Sequence, residues 1–156
     1  MSDGISVQIA RLTISFFERI RLSATESAPS REHQRLVGFL IKWITDEGFN
    51  VQCATYGNYP QCEAIGGVIA DVSGFRADVE VWCNGEAETE KTIATQPTKD
   101  QIASLARRIV TGGKSNGAKC PFYIAIPSGS EQLLISVLRE LNLLDQPHVK
   151  WRSFPL

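Results

Sequence analysis

Three acidic residues in the middle of the chain carry its most chemically suggestive spacing. Asp71 closes the run Ile65-Gly66-Gly67-Val68-Ile69-Ala70, and Glu86 and Glu88 flank Ala87 further on. In an extended strand, side chains two residues apart share a face, so Glu86 and Glu88 would point the same way. If their strand pairs with the one carrying Asp71, three carboxylates converge on one end of a sheet. Converging carboxylate oxygens suit a hard divalent cation, Mg²⁺ or Mn²⁺. A cation would also relieve the repulsion among like charges packed so closely. The competing reading is a solvated polar stretch, because Glu86 to Lys91 alternates in charge.

The surrounding periodicities predict the elements that would position these groups. Ile5, Ile9, Leu12, Phe16 and Ile20 mark a first helical face. After a break at residues 25–30, with Ser30 as N-cap, Leu36, Leu40, Trp43 and Ile44 line a second helix ended by Gly48. Strands are expected at 49–55, 65–73 and 77–88, with a loop at 56–63 and a turn at 74–76. Asn84-Gly85 is a hairpin signal that could interrupt the third strand. Thr98-Lys99-Asp100-Gln101 fits a capping box opening a helix with Ile102, Leu105, Ile109 and Val110 inward, stopped by Gly112-Gly113. A buried strand at 122–126, a helix from Ser130 and a strand at 149–154 complete the order α-α-β-β-β-α-β-α-β. This implies an α/β fold with a mixed sheet and helices on both faces. The expected organisation is a single domain, with a helical extension at 1–27 and a core at 28–156.

Within this order, residues 31 to 127 resemble the PD-(D/E)xK nuclease superfamily of restriction-endonuclease-like fold. The matching segments are Arg31-Glu32-His33-Gln34-Arg35-Leu36, Gly66 to Val72, Gly85-Glu86-Ala87-Glu88-Thr89 and Thr98 to Gln101. The resemblance implies a three-layer α/β/α architecture on an αβββαβ core and a metal-dependent phosphodiesterase acting on DNA rather than RNA. Asp71 and Glu86 then stand as metal ligands, and Ala87 offers its backbone carbonyl. Glu88 occupies the place where the family usually has lysine; it would bind metal or take the proton of the attacking water. Ala70 replaces the motif's proline. Ala77-Asp78 offers a second alignment of the first motif half, but Asp78 would demand a very tight hairpin at Asn84-Gly85, so Asp71 is preferred. The lysine's absence also implies an alternative, a catalytically inactive nuclease-fold protein that binds nucleic acid or a protein partner.

Other residues are weighed against this frame. Glu32 and His33 on the first core helix could complete the metal site, although a histidine there also packs or caps. Gln101 is a polar crossover-helix position and equally a capping residue. Arg107, Arg108, Lys114 and Lys119 form the densest basic stretch and could meet phosphates or complement a helix C-terminus. Trp43, Trp82 and Trp151 read as core, and Tyr56 and Tyr59 as loop aromatics within reach of a substrate. Gly66-Gly67 lacks the following helix with Lys-Ser/Thr of a phosphate loop, so no nucleotide cofactor is expected.

Composition sets the outer limits. The chain has 156 residues, 16 basic and 17 acidic side chains and a net charge of -1. That excludes a bulk polycation holding nucleic acid by charge alone. No apolar run is long enough for a membrane span, and the start lacks the pattern of a signal peptide. Cys53, Cys62, Cys83 and Cys120 form no CxxC pair. They read as reduced, packed thiols of a cytoplasmic protein rather than a zinc site or a disulfide framework. Phe16, Phe17 and Ile20 on the first helix could serve a homodimer.

Overall fold

A computed structural model describes residues 30–156, and Arg31–Leu156 form one compact unit. The expected first helix, its homodimer face and the 1–27 extension lie outside the described residues. Within them the elements are α1 (Arg31–Asp46), β1 (Asn50–Ala54), β2 (Val72–Arg76), β3 (Val81–Ala87), α2 (Gln96–Ala106), β4 (Phe122–Pro127), α3 (Glu131–Glu140) and β5 (Val149–Phe154). The protein is thus α/β, with a five-stranded mixed sheet and three helices among the described residues. The strands lie in chain order, β1-β2-β3-β4-β5. β1, β2 and β3 form an antiparallel meander; β3, β4 and β5 run parallel.

The alternation of β4 divides the core. Tyr123 and Ala125 join an apolar cluster with Leu36, Leu40, Trp43 and Ile44 of α1. Phe122, Ile124 and Ile126 join a second cluster with Ile102 and Leu105 of α2 and Leu134, Val137 and Leu138 of α3. Every residue of β4 is buried, as a strand covered on both faces requires. On the α1 side the approach to the sheet is close. A Cβ at Gly85 would lie 2.9 Å from Leu40 Cδ2 and 3.0 Å from Ile44 Cδ1. Asn84-Gly85 is therefore not a hairpin turn. Gly85 sits inside β3 because the helix leaves no room for a side chain.

Three expected boundaries shift, each for a local reason. The strand expected at 65–73 begins only at Val72, because Gly66 and Gly67 adopt left-handed backbone (φ 62° and 80°) and turn the chain between the bridged residues Ile65 and Val68. The hairpin turn falls at Ala77–Glu80 rather than 74–76, where Arg76 and Asp78 form a bidentate pair. The crossover helix starts at Gln96 with Thr95 as N-cap and proline in its first turn, so Thr98 is a buried residue of that turn rather than a cap. It ends at Ala106, well before Gly112-Gly113. Val110 instead donates to the Ala118 carbonyl, and Ile109 is left 54% exposed.

The cysteine expectation is corrected. Cys53 and Cys62 form a disulfide, while Cys83 and Cys120 are free and buried. The loop after β1 folds back so that Ala54 N–H donates to the Pro60 carbonyl, bringing the two cysteine Cα atoms within 5.0 Å. That separation suits a bridge, and spacing in sequence does not reveal it.

Two stability measurements test this packing. Gly85→Ala should cost about 1–3 kcal/mol in denaturant unfolding, because the added methyl overpacks the α1 interface. A neutral effect would mean that α1 does not press on β3 as described. Replacing both Cys53 and Cys62 by serine should cost about 2–3 kcal/mol, the loop-closure contribution of so short a ring.

Candidate active site

The meander and α1 bring together the residues that the sequence singles out. Asp71 directly precedes β2, and β3 carries Glu86 near its carboxyl end. The backbone N–H of Asp71 donates to Glu86 Oε1 at 3.2 Å, and the N–H of Ala87 donates to Asp71 Oδ2 at 3.0 Å. His33, in the first turn of α1, places Nε2 3.0 Å from the same Oδ2. Thr55, just beyond β1, donates its hydroxyl to Asp71 Oδ1 at 2.9 Å. Gln101 on α2 donates to the Ile69 carbonyl at 3.0 Å. Glu88 accepts from the hydroxyls of Thr92 and Thr98, the latter at 3.3 Å.

The solvated-loop reading of Glu86 to Lys91 does not hold for its first residues. Glu86 is 2% exposed and Glu88 6%. Burial, then the neighbouring charges of Asp71 and Glu88, drive the Glu86 carboxyl well above its ordinary range. Burial raises Glu88 too, against the hydrogen bond from Thr92 and with the charge of Asp71. Burial works to lower His33, but the hydrogen bond and charge of Asp71, with the charge of Glu88, outweigh it and raise the imidazole. The cluster is therefore a desolvated acidic group with the His33 imidazole set against it.

Other expected residues fall elsewhere. Glu32 is exposed and, with Arg31, Arg35, Glu90, Ser128 and Ser130, lines a cavity of about 710 Å³ at the carboxyl ends of β4 and β5. Asp78 lies in the β2–β3 turn, paired with Arg76 and remote from Glu86 in the register, which removes it as a motif aspartate. Arg108 is turned inward. It donates to Asn84 Oδ1 at 2.8 Å and to the carbonyls of Ile65 and Val68. Lys114 contacts Glu80 and Asp78 through its backbone N–H and ammonium. Arg107 is exposed at the C-cap of α2. Trp82 is not core, being 48% exposed. Sequence reasoning missed Thr55, Thr92 and Thr98. The only signal for the last two was a hydroxyl four and ten residues after a buried glutamate.

The fit to a divalent cation divides into chemistry and placement. Three carboxylates supply hard oxygen donors of the right type. As they stand, however, Asp71 and Glu86 accept from groups of the chain itself, and so does one oxygen of Glu88. Among the described residues, no three His, Cys, Asp or Glu side chains are placed so that they could hold a metal ion together. Compared with known proteins, the chain matches no family model, no curated protein and no solved structure.

The burial of these acids has a pH signature. A carboxyl whose pKa is raised on folding contributes stability that is complete below its unfolded value near 4.5 and lost as pH rises through the folded value. A raised histidine behaves alike, complete below 6.5 and lost above. Both therefore weaken the fold as pH climbs. Glu86→Gln keeps the acceptor for Asp71 N–H and removes the charge. Its unfolding midpoint should exceed that of the wild type at pH 8, with the gap closing toward pH 4.5. A deficit at pH 8 would contradict the assigned burial cost.

Proposed function

We propose that the chain is a metal-dependent phosphodiesterase with a three-layer, restriction-endonuclease-like architecture, acting on nucleic acid, DNA before RNA. The observation that carries this reading is the meeting of Asp71 and Glu86 across the β2–β3 pair, with Glu88 one step along the same face. The αβββαβ order, the parallel β3–β4 pair and the apolar clusters on both sides of β4 support the same frame.

Asp71 and Glu86 would hold Mg²⁺ or Mn²⁺, with the Ala87 carbonyl and Glu88 completing the protein's share. Such an ion, when bound, stabilises charge on the scissile phosphate and lowers the pKa of a water. His33 and Thr55 fix the orientation of the Asp71 carboxylate from two sides. Gln101 ties α2 to the segment before Asp71 through the Ile69 carbonyl. Glu88, in the place of the family's lysine, would accept the proton of the attacking water rather than donate positive charge. Arg31 and Arg35, exposed at the neighbouring cavity, are cations suited to flanking phosphates.

One observation favours a second reading, a non-catalytic nuclease-fold protein. The contacts of all three carboxylates with internal donors form a self-sufficient network that needs no ion. Calorimetric Mn²⁺ titration separates the two. The first reading expects binding in the wild type that Asp71→Asn and Glu86→Gln each abolish. It also expects Mn²⁺-dependent cleavage of DNA that falls at least 100-fold in both variants. A folded wild type that neither binds Mn²⁺ in the presence of DNA nor cleaves it would leave the second reading standing.

A further inference from the structure

Thr55 is held from two sides where β1 ends. Its N–H donates to the Asp71 carbonyl and its hydroxyl to Asp71 Oδ1, each at 2.9 Å. Its own carbonyl accepts from Gln34 Nε2 of α1 at 2.9 Å. The loop that follows is lightly attached. Tyr56 through Gln61 are all exposed. Inside the loop, Ala54 N–H donates to the Pro60 carbonyl at 3.0 Å and Tyr59 N–H to the Tyr56 carbonyl at 3.2 Å. Against α1, the Tyr56 ring lies over Gly38, where a Cβ would come within 3.3 Å of it.

The Cys53–Cys62 bridge closes this loop into a ring at its base, two residues before Thr55. Beyond Cys62 the chain stays exposed through Gly67. Its next anchors are the Ile65 and Val68 carbonyls, which accept from Arg108, and the Ile69 carbonyl, which accepts from Gln101. Asp71 is therefore held independently of the bridge, by these anchors and by His33 and the Ala87 N–H. What the bridge governs is the loop and the seat of Thr55. The bridge is also within reach of a small thiol. Both cysteines line a cavity of about 680 Å³ on the sheet face turned away from α1, and Cys53 is only half-buried. Thiol–disulfide exchange depends on such access.

We propose that the Cys53–Cys62 bridge is a redox latch that holds Thr55 against Asp71 and releases it on reduction by a dithiol. A thiolate of the reductant attacks one bridge sulfur and the other sulfur leaves as a thiolate. The reductant's second thiol then resolves the mixed disulfide. The protein's S–S bond becomes two thiols, with two electrons and two protons supplied, and the reductant closes to its own disulfide. Opening the ring returns conformational freedom to an exposed loop with few other ties. Thr55 then leaves, and Asp71 Oδ1 loses its donor while Oδ2 keeps His33 and Ala87. The consequence for metal binding rests on the phosphodiesterase reading, because a carboxylate steadied at one oxygen only is a less ordered ligand. The latch itself does not rest on it.

The test compares the full chain, oxidised and after dithiothreitol, with the Cys53→Ser/Cys62→Ser double variant. Alkylation and intact mass report the state of the bridge. Chymotrypsin under native conditions reads the loop, and amide NMR reads its contact with Asp71. On reduction, cleavage after Tyr56 and Tyr59 should accelerate at least tenfold, with no cuts after the buried Phe122 and Tyr123. The Thr55 and Asp71 amide resonances should move while that of Ile124 in β4 stays. The double variant should match the reduced chain and ignore dithiothreitol. A bridge that dithiothreitol leaves intact, an unchanged loop and Thr55 resonance after reduction, or cuts throughout the chain would each overturn the latch. Mn²⁺ titration without reductant, on the oxidised wild type and the double variant, reads the consequence for the site. Binding at least tenfold weaker in the variant is expected, and equal binding would overturn that consequence. If neither binds Mn²⁺, the phosphodiesterase reading fails, and cleavage and NMR still decide the latch.

Discussion

The Asp71 carboxylate is the knot on which the site depends. It accepts from His33 of α1, from Thr55 after β1 and from the Ala87 N–H of β3. The Asp71 backbone adds two ties: its carbonyl accepts from Thr55 N–H at 2.9 Å, and its N–H reaches Glu86. One residue thereby fixes a helix and three strands against one another. Charge-assisted bonds of this kind are stronger than neutral ones, and their loss would leave donors unsatisfied on several elements at once. The same arrangement confines three acids where water is scarce. Their mutual repulsion must be met by protons, by the His33 imidazolium or by a cation.

The fold makes the knot possible through two near approaches. Gly74, opposite Cys83, and Gly85, opposite Val72, let α1 sit almost on the sheet, and this carries His33 down to Asp71. On the other face, Arg108 leaves the end of α2 and reaches back to Asn84 and to the carbonyls of Ile65 and Val68. That clamp holds the turn preceding Asp71.

Much of the frame was legible in the sequence because it follows from apolar periodicity. α1, β4, α3 and β5 fall where hydrophobic spacing and flanking Pro, Ser and Gly place them. Asp71, Glu86 and Glu88 were legible as a group because strand alternation and antiparallel pairing are local rules. The departures share a cause: each depends on a partner distant in sequence. Gly85 read as turn chemistry because its reason, the Leu40 side chain, lies on another element. Cys53–Cys62 was missed because loop return cannot be read from spacing. Trp82 was assigned to the core because composition cannot tell which sheet face lacks a helix. Arg108 resembled a surface cation until its buried acceptors were in view.

Glu88 is set by its surroundings. Two threonine hydroxyls converge on its Oε2, and Thr98 lies in the first turn of α2. The amino end of a helix favours negative charge and disfavours an ammonium group. Hydroxyl donors and helix polarity thus both select a carboxylate at this position. Two hydroxyl donors and the helix end thus make the surroundings of Glu88 those of an acid rather than of a cation.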